Sequence, residues 1–363
     1  MKILQINKYS YLKGGSERHF LSLVNLLKEK GHEVFVFSMS EPKKLQRHLY
    51  WSFSANRTLE EIIKKFKPDV AHLHNIYHDF SPSILYTLKK HKISVIMTLH
   101  DYKIICPNYH LFTQGQLCER CKGGKYYHCA LHKCIKNSCW QSCLIMAEAY
   151  LHQSILKSYE KNINLYISPS KFLKNKCMEW GIKKNIIHLP NYIDWPAQEH
   201  QKKDYYLYVG RLSQEKGVKL LPEIIKQTKA SWKIAGTGPL VDYLKQHLPA
   251  GVLLGQKNGK ELKDLIGQAK AVIVPSVWYE NNPLIIMEAL SQGTWVIASK
   301  LGGIPELIKD GENGTLVNDP NVNNFVQAIN NKKIKKFQPF LSTNKEEYYQ
   351  EIIKIYEKNQ IAD

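Results

Sequence analysis

The 363-residue sequence has no apolar run of the ~20 residues that a membrane-spanning helix requires. No small-residue cleavage site follows its opening residues, which read as a strand and not as a signal peptide, so the expected location is the cytoplasm. Acidic residues are in short supply: 32 Asp and Glu stand against 51 Lys and Arg, a net charge of +19. The deficit is concentrated in residues 1–196, where 29 basic side chains face 14 acidic ones, a net of +15. Such a field suits an anionic partner: an acidic membrane surface, a phosphate-bearing lipid acceptor or nucleic acid. Nucleic acid is the weakest of the three. No nucleic-acid motif is recognisable, and the aromatic residues are not interleaved with the basic ones in a stacking pattern. Cysteine is scarce outside one stretch, since only Cys177 of the eight lies beyond residues 106–143. What remains is ordinary for a globular chain, with 44% hydrophobic and 23% charged residues. The length points to two domains, each able to bury its own core.

Strand and helix patterns alternate throughout, the signature of an α/β chain with parallel sheets. Strands are expected near residues 2–6, 34–37, 70–73, 95–98, 165–168 and 186–189. A second series follows near 206–209, 232–235, 252–254, 271–274, 296–298 and 315–317. Two such series imply two doubly wound domains, 1–190 and 205–345, joined by a proline-bearing polar linker over 190–204. In the tail, Tyr349, Ile352, Ile353 and Tyr356 have helical spacing and should pack back on the body.

The richest stretch is 275–293, PSVWYENNPLIIMEALSQG. A strand runs into a loop and then a helix, with Asn282 expected as its cap, Pro283 at its first position and Gly293 at its end. That helix is apolar on nearly every side, so its lone Glu288 is costly to bury unless something polar meets it. Glu280 stands in the loop eight residues earlier. A helix N-terminus favours anions, and a carboxylate on either side of it accepts hydrogen bonds from hydroxyls. A nucleotide sugar needs that combination, with the diphosphate at the N–H groups of the helix N-terminus. Upstream, YVGRLSQEKGV places Gly210, Arg211 and Lys216 after a strand, two cations suited to phosphate oxygens. Lys216 and Gly217 read there as a helix start. Gly236, Thr237 and Gly238 form a second glycine-rich strand-to-helix turn, of a kind that accepts a base or ribose.

In the first half, Lys13, Gly14 and Gly15 follow the first strand, where a glycine pair lets backbone approach a ligand. VAHLHN (70–75) and VIMTLHDY (95–102) each end a strand on histidine, at the sheet edge where open α/β sheets bind ligands. His100, followed by Asp101, is the sharper of these, suited to bonding a sugar or moving a proton. Then come Cys106, Cys118, Cys121, Cys129, Cys134, Cys139 and Cys143, with His110, His128 and His132 among them. Cys118 and Cys121 make a CxxC. In a cytoplasmic chain this favours metal over disulfides. Tetrahedral zinc would take Cys118 and Cys121 with two of Cys129, Cys134, Cys139 and Cys143. The later spacings do not repeat CxxC, so an iron–sulfur cluster or a loop of reduced thiols stays open.

Taken together, Gly14-Gly15, His100, Arg211, Lys216, Gly236-Thr237-Gly238 and the Glu280…Glu288 pair resemble the retaining glycosyltransferases of family 4. The resemblance runs in order over nearly the whole chain. It implies the glycosyltransferase B fold of two Rossmann-like domains with the active site in the cleft between them, and a C-terminal helix, 346–363, returning to the first domain. It implies that Arg211 and Lys216 neutralise the donor diphosphate, Glu288 binds ribose and Glu280 binds the transferred sugar, with backbone N–H groups between Asn281 and Leu284 assisting both. Gly15 would lie near the donor phosphates and His100 near the sugar or the acceptor. HDYKIICPN followed by clustered cysteines resembles members from bacterial surface-polysaccharide synthesis, so a glycan or lipid-linked acceptor is expected, with a peripheral position on the inner face of the membrane. No metal cofactor is expected for transfer from a UDP- or GDP-sugar; zinc, if present, would be structural. Two departures stand out: Asn281-Asn282 where Gly-Phe is common, and Trp295 where Pro is usual, read as packing. The rival readings are a nucleotide-sugar epimerase on the same fold and a Cys-rich nucleic-acid-binding protein.

Overall fold

Runs such as VAHL at 70–73, SVIMT at 94–98, AVIV at 271–274 and WVIAS at 295–299 are buried at every position. This is the pattern of parallel strands covered on both faces by helices. The computed structural model describes all residues except 13, 40–48, 78, 332–333, 341–342 and 361–363. Lys13 of the expected glycine turn, and the end of the expected tail segment, therefore lie outside the described residues. The chain divides into two units. One comprises Met1–Gln114, Cys118–Asn191 and Lys345–Asp363, the other Gly115–Leu117 and Tyr192–Asn344.

The sheet of the first unit contains β1 (Lys2–Tyr9), β2 (Glu33–Met39), β3 (Val70–Leu73), β4 (Ser94–Thr98), β5 (Leu165–Ser168) and β6 (Ile186–His188), in the order β2-β1-β3-β4-β5-β6. All its pairs are parallel. The sheet of the second unit contains β7 (Tyr206–Val209), β8 (Trp232–Ala235), β9 (Leu253–Gly255), β10 (Ala271–Val274), β11 (Trp295–Ser299) and β12 (Gly314–Val317), ordered β9-β8-β7-β10-β11-β12 and again wholly parallel. Each of the twelve expected strands is present. Both orders reverse direction beside the first strand of the unit, between β1 and β3 and between β7 and β10. Such switch points are where doubly wound sheets bind ligands.

Four helices bear on the chemistry of the two units: α1 (Gly15–Glu29), α2 (Cys139–Ala149), α3 (Leu284–Ser291) and α4 (Lys345–Lys358). Apolar side chains on one side of α1, among them Phe20, Leu23 and Leu27, are fully buried. The buried face of α4 is Tyr348, Ile352, Ile355 and Tyr356, rotated from the expected one. Its two inner tyrosines reach polar partners in the first unit, while Tyr349 instead bonds His32 at 2.9 Å. Segment 192–204 has no regular structure and is tied to the end of α3. Gln198 N–H donates to Ser291 O at 2.9 Å, and Lys202 Nζ donates to the Gln292 and Thr294 oxygens at 3.2 and 2.6 Å. A cation there complements the helix C-terminus. Trp295 is buried, its indole N–H donating to Thr315 Oγ1 at 3.1 Å.

Candidate active site

In the second unit, three loops leave the carboxyl edge of the sheet around the β7/β10 switch point. After β10 the chain runs to α3, which begins at Leu284 with Pro283 in extended conformation as its N-cap and no side-chain cap. The expected Asn282 cap is therefore displaced by one residue, because Pro283 holds ψ at 113° and does not enter the helix. At the other end Gly293 adopts φ +58°. Its N–H donates to Leu290 O at 3.1 Å and that of Thr294 to Ala289 O at 2.9 Å, a Schellman termination. Glu288 is 3% exposed and Glu280 4% exposed. Asn282 and Leu284 are buried beside them, and Asn281 is half-buried.

The carboxylate of Glu280 is paired. Lys216 Nζ lies 2.8 and 3.0 Å from its two oxygens, and Ser276 Oγ donates to Oε1 at 2.5 Å. Burial pushes the Glu280 pKa up, but the Lys216 ammonium and the donors on Lys216, Ser276 and Trp278 more than offset this and hold it below its ordinary value. Lys216 also sits 5.0 Å from the centre of the Trp278 ring. It is not the start of an α-helix, as expected, but the last residue of a 3-10 turn, Gln214–Lys216. Gly217 breaks the turn with φ +70°, and a Cβ there would stand 1.7 Å from Pro275 O. That close approach brings Lys216 to Glu280, with Val277 N–H donating to Glu215 O at 3.0 Å.

The remaining loops interlock through backbone. Gly236 has φ +147°, and a Cβ there would meet Gly210 O at 1.9 Å; one on Gly238 would meet Leu212 O at 2.5 Å. Leu212 N–H donates to Thr237 O at 2.9 Å. Tyr208 OH donates to Arg211 O at 2.8 Å, fixing the turn at Gly210 while the Arg211 side chain stays exposed. The structure thus gathers Gly210, Lys216, Gly236, Gly238 and Glu280 into one set of interlocked loops, with Arg211 on their exposed side.

The first unit has a different kind of site. Gly14 has an extended φ of −168° that any residue adopts, and it precedes α1 without a side-chain cap. Gly15 opens the helix. His100 follows β4 and joins a buried chain of neutral groups. Its Nε2 is 2.8 Å from His74 Nδ1, His74 Nε2 is 3.1 Å from Gln5 Oε1, and Gln5 Nε2 donates to Tyr356 OH at 3.2 Å. Tyr356 OH then meets His72 Nδ1 at 2.7 Å, and His72 Nε2 meets Thr98 Oγ1 at 2.7 Å. Tyr348 OH lies 3.2 Å from His19 Nε2. Burial, with neighbouring imidazoles, holds His74 and His100 well below the ordinary histidine value. It lowers His19 to about 4 and His72 to about 3. Next to His100, burial raises the Asp101 carboxyl to about 6 against hydrogen bonds from Tyr77 and the Lys103 N–H. His19, Gln5 and Tyr348 are not singled out by the sequence, and Tyr356 is expected there only as a packing residue of the tail. VAHLHN and VIMTLHDY carry the local signals, and the other partners come from distant segments.

Of the cysteines, Cys106, Cys118, Cys121, Cys129 and Cys134 line one cavity. Cys139 and Cys143 stand on α2, outside that lining. Among the described residues, no three His, Cys, Asp or Glu side chains converge closely enough to hold an ion as they stand. A larger cavity of about 140 Å³ in the first unit, between Tyr126, Gln153, Trp180 and Lys184, contains none of the expected donor residues. Among the described residues, no helix is long and apolar enough to cross a membrane.

Two family models match the chain: Glycosyltransferase Family 4 over residues 13–123 and Glycosyl transferases group 1 over residues 193–336. Together they account for more than half of it. The chain belongs to the glycosyltransferases. An uncharacterized glycosyltransferase of Methanocaldococcus jannaschii is 27% identical over 361 residues, 87% of this chain and 84% of the relative. An uncharacterized 42.6 kDa protein in the cps region of Klebsiella pneumoniae is 25% identical, over 85% of this chain and 87% of its own. Among solved structures, Anabaena HepE in complex with UDP and glucose superposes with a TM-score of 0.62 at 15% identity, covering 91% of this chain and 89% of that one. The family assignment agrees with the two parallel-sheet units of the glycosyltransferase B fold.

Proposed function

We propose that this glycosyltransferase moves a hexose-type sugar, with retention of anomeric configuration, from a UDP- or GDP-sugar to a glycan or lipid-linked acceptor in surface-polysaccharide synthesis. One observation carries the reading. At the switch point of a 3-2-1-4-5-6 sheet, a buried carboxylate, Glu280, is held ionised by Lys216 just before a helix that buries a second carboxylate, Glu288. The second unit on this reading binds the donor. Arg211 and Lys216 meet the diphosphate, the N–H groups at the start of α3 assist them, Glu288 bonds the ribose hydroxyls, and Glu280 bonds the sugar. The glycine turns at 210 and 236–238 lock two loops together at the sheet edge, and the nucleotide would lie against them. Relatives from a cps region and a neighbour that binds UDP support the donor class and the setting.

Transfer breaks the bond from the anomeric carbon to the phosphate oxygen and forms one to the acceptor hydroxyl oxygen on the same face. The acceptor proton passes to the departing phosphate. Charge grows on the leaving diphosphate, where Arg211 and Lys216 stabilise it more than in the ground state. His100, neutral and fixed by His74, is suited to bond a hydroxyl of the sugar or acceptor without adding charge. The basic first half suits an anionic lipid-linked acceptor and a peripheral position on the inner membrane face.

The test is steady-state transfer and donor hydrolysis with UDP- and GDP-sugars. Arg211→Ala is expected to lower kcat on the order of 100-fold, and Glu288→Gln to raise the donor KM. Unchanged transfer and hydrolysis in both variants would sink the reading.

A further inference from the structure

The cavity lined by Cys106, Cys118, Cys121, Cys129 and Cys134, with Pro107, Asn108 and Phe112, has a volume of about 10 Å³. That is room for one water-sized particle. Five cysteines from four separate stretches of chain line it. Four of these cysteines are in the expected ligand set; Cys106 is not, and Cys139 and Cys143 of that set stay on α2.

We propose that four of these five cysteines hold a single Zn²⁺-class ion as a closed, tetrahedral, all-thiolate site that staples segment 102–138. Such a site would stand whether or not the transferase reading does. Three observations carry it. First, hydrogen-bond donors face three of the sulfurs, although burial raises the Cys106 thiol to about 11 and pushes that of Cys121 up further. The N–H groups of Asn108 and Leu111 hydrogen-bond to Cys106, that of Cys129 to Cys121, and Arg120 Nη1 is 3.7 Å from Cys118 Sγ. Such donors are the outer shell of a metal-bound thiolate.

Second, the lining selects the ion. An all-sulfur shell favours zinc or iron–sulfur chemistry over magnesium or calcium, and a void of one-water size has no room for a multi-iron cluster. His110, His128 and His132 are not among the lining residues. With four thiolates there is no open position for substrate, so the ion is structural.

Third, the segment has little regular structure. Its pieces are short, such as the five-residue helix Tyr127–Leu131. Tyr109, Leu111, Gln114, Lys133, Lys136 and Asn137 all adopt positive φ, a cost of about 1 kcal/mol or more each. Cys121 and Cys129 of the lining belong to the segment's buried cluster with Tyr126 and Ala149, so an ion held there would tie the strained turns to that cluster.

In the thiol form the sulfurs are turned to one another and to neighbours. Cys106 donates to Asn108 Oδ1 at 3.1 Å, and Cys129 bonds Cys134, hydrogen bonds that an ion would replace. Ion binding exchanges four S–H bonds for four metal–sulfur bonds, releases the protons to solvent and changes no oxidation state. Without its S–H bond each sulfur is free to turn inward about Cα–Cβ.

The experiment uses the full chain, purified under reducing conditions from zinc-supplemented culture. The expected result is one zinc per chain by elemental analysis. Replacement by Co²⁺ should give the thiolate-to-metal charge-transfer band and the visible absorption of a tetrahedral sulfur site. Cys118→Ser and Cys121→Ser should lose the ion, while Cys139→Ser, Cys143→Ser and Cys177→Ser should keep it. Should the serine variants fail to fold, chelation of the wild-type chain is the second measurement, expected to speed hydrogen exchange within 102–138 first. Substoichiometric metal with no cobalt spectrum would overturn the proposal. So would iron with sulfide absorbance, or a disulfide between Cys129 and Cys134 in the chain as isolated.

Discussion

At the switch point of the first sheet the polar groups are imidazoles without charge, whereas at that of the second an ammonium is locked to a carboxylate. The two sheets share an all-parallel build and a reversal of strand order beside their first strand, so topology does not explain the contrast. The side chains do. Around β1 and β3 each ring nitrogen of His72 and His74 has a partner, two hydroxyls for His72 and the accepting Gln5 Oε1 with His100 for His74, and the chain from Thr98 to His100 is satisfied with no net charge. Burial of such a network costs little while it stays neutral. Around β7 and β10, Glu280 stays ionised because Lys216 is 2.8 Å away. On the proposed reading, the neutral network would meet hydroxyls, and the ion pair with the exposed Arg211 beside it would meet a diphosphate.

Acid should break this comparison most strongly. The pKa of His19 falls from about 6.5 unfolded to about 4 folded. Above pH 6.5 it has no effect; between pH 6.5 and 4 only the unfolded chain takes the proton. The first unit should therefore lose about 3 kcal/mol through His19 alone by pH 4, with His72 acting in the same direction. Glu280 has the same sense at lower pH. Its lowered pKa gives stability that is present above 4.5 and lost only as pH falls through the lower folded value. Hydrogen exchange read separately over β3–β4 and β10–β11 should show the first unit loosening near pH 6 and the second holding to below pH 4.5. Simultaneous loosening would contradict the account.

Lys216→Met sharpens the comparison from the other side. It leaves Glu280 buried without its cation, and because Lys216 is itself 27% exposed the expected loss is roughly 2 kcal/mol, below that of a fully buried pair. Urea unfolding should show it, and Glu280→Gln on top should restore most of it. Smaller again is Tyr356→Phe. Removing the hydroxyl leaves His72 and Gln5 each short of a partner, for a loss of about 1 kcal/mol confined to the first unit.

Much of the second unit was legible in sequence because its signals are local. Glu288 is conspicuous in an apolar helix, Glu280 stands eight residues before it, and Gly217 follows Lys216 directly. Even there the helix start was placed one residue early, since a proline suited to the first turn serves instead as its extended cap. The histidine network was not legible, because Gln5 and Tyr356 are 351 residues apart, and nothing in either neighbourhood announces the other. The cysteines fall between these cases. Their density was plain, yet chain proximity grouped Cys139 and Cys143 with the rest, whereas α2 separates them and the turn after β4 brings in Cys106.

The most direct measurement is a thermal melt of the chain with and without UDP- and GDP-sugars, repeated for Glu288→Gln. At ~100 times its dissociation constant, a bound donor should add about 2.7 kcal/mol to the wild type. The account predicts that shift for one nucleotide class and a much smaller one for the variant at the same concentration. A donor shift that survives intact in Glu288→Gln, or no shift with any nucleotide sugar, would contradict it.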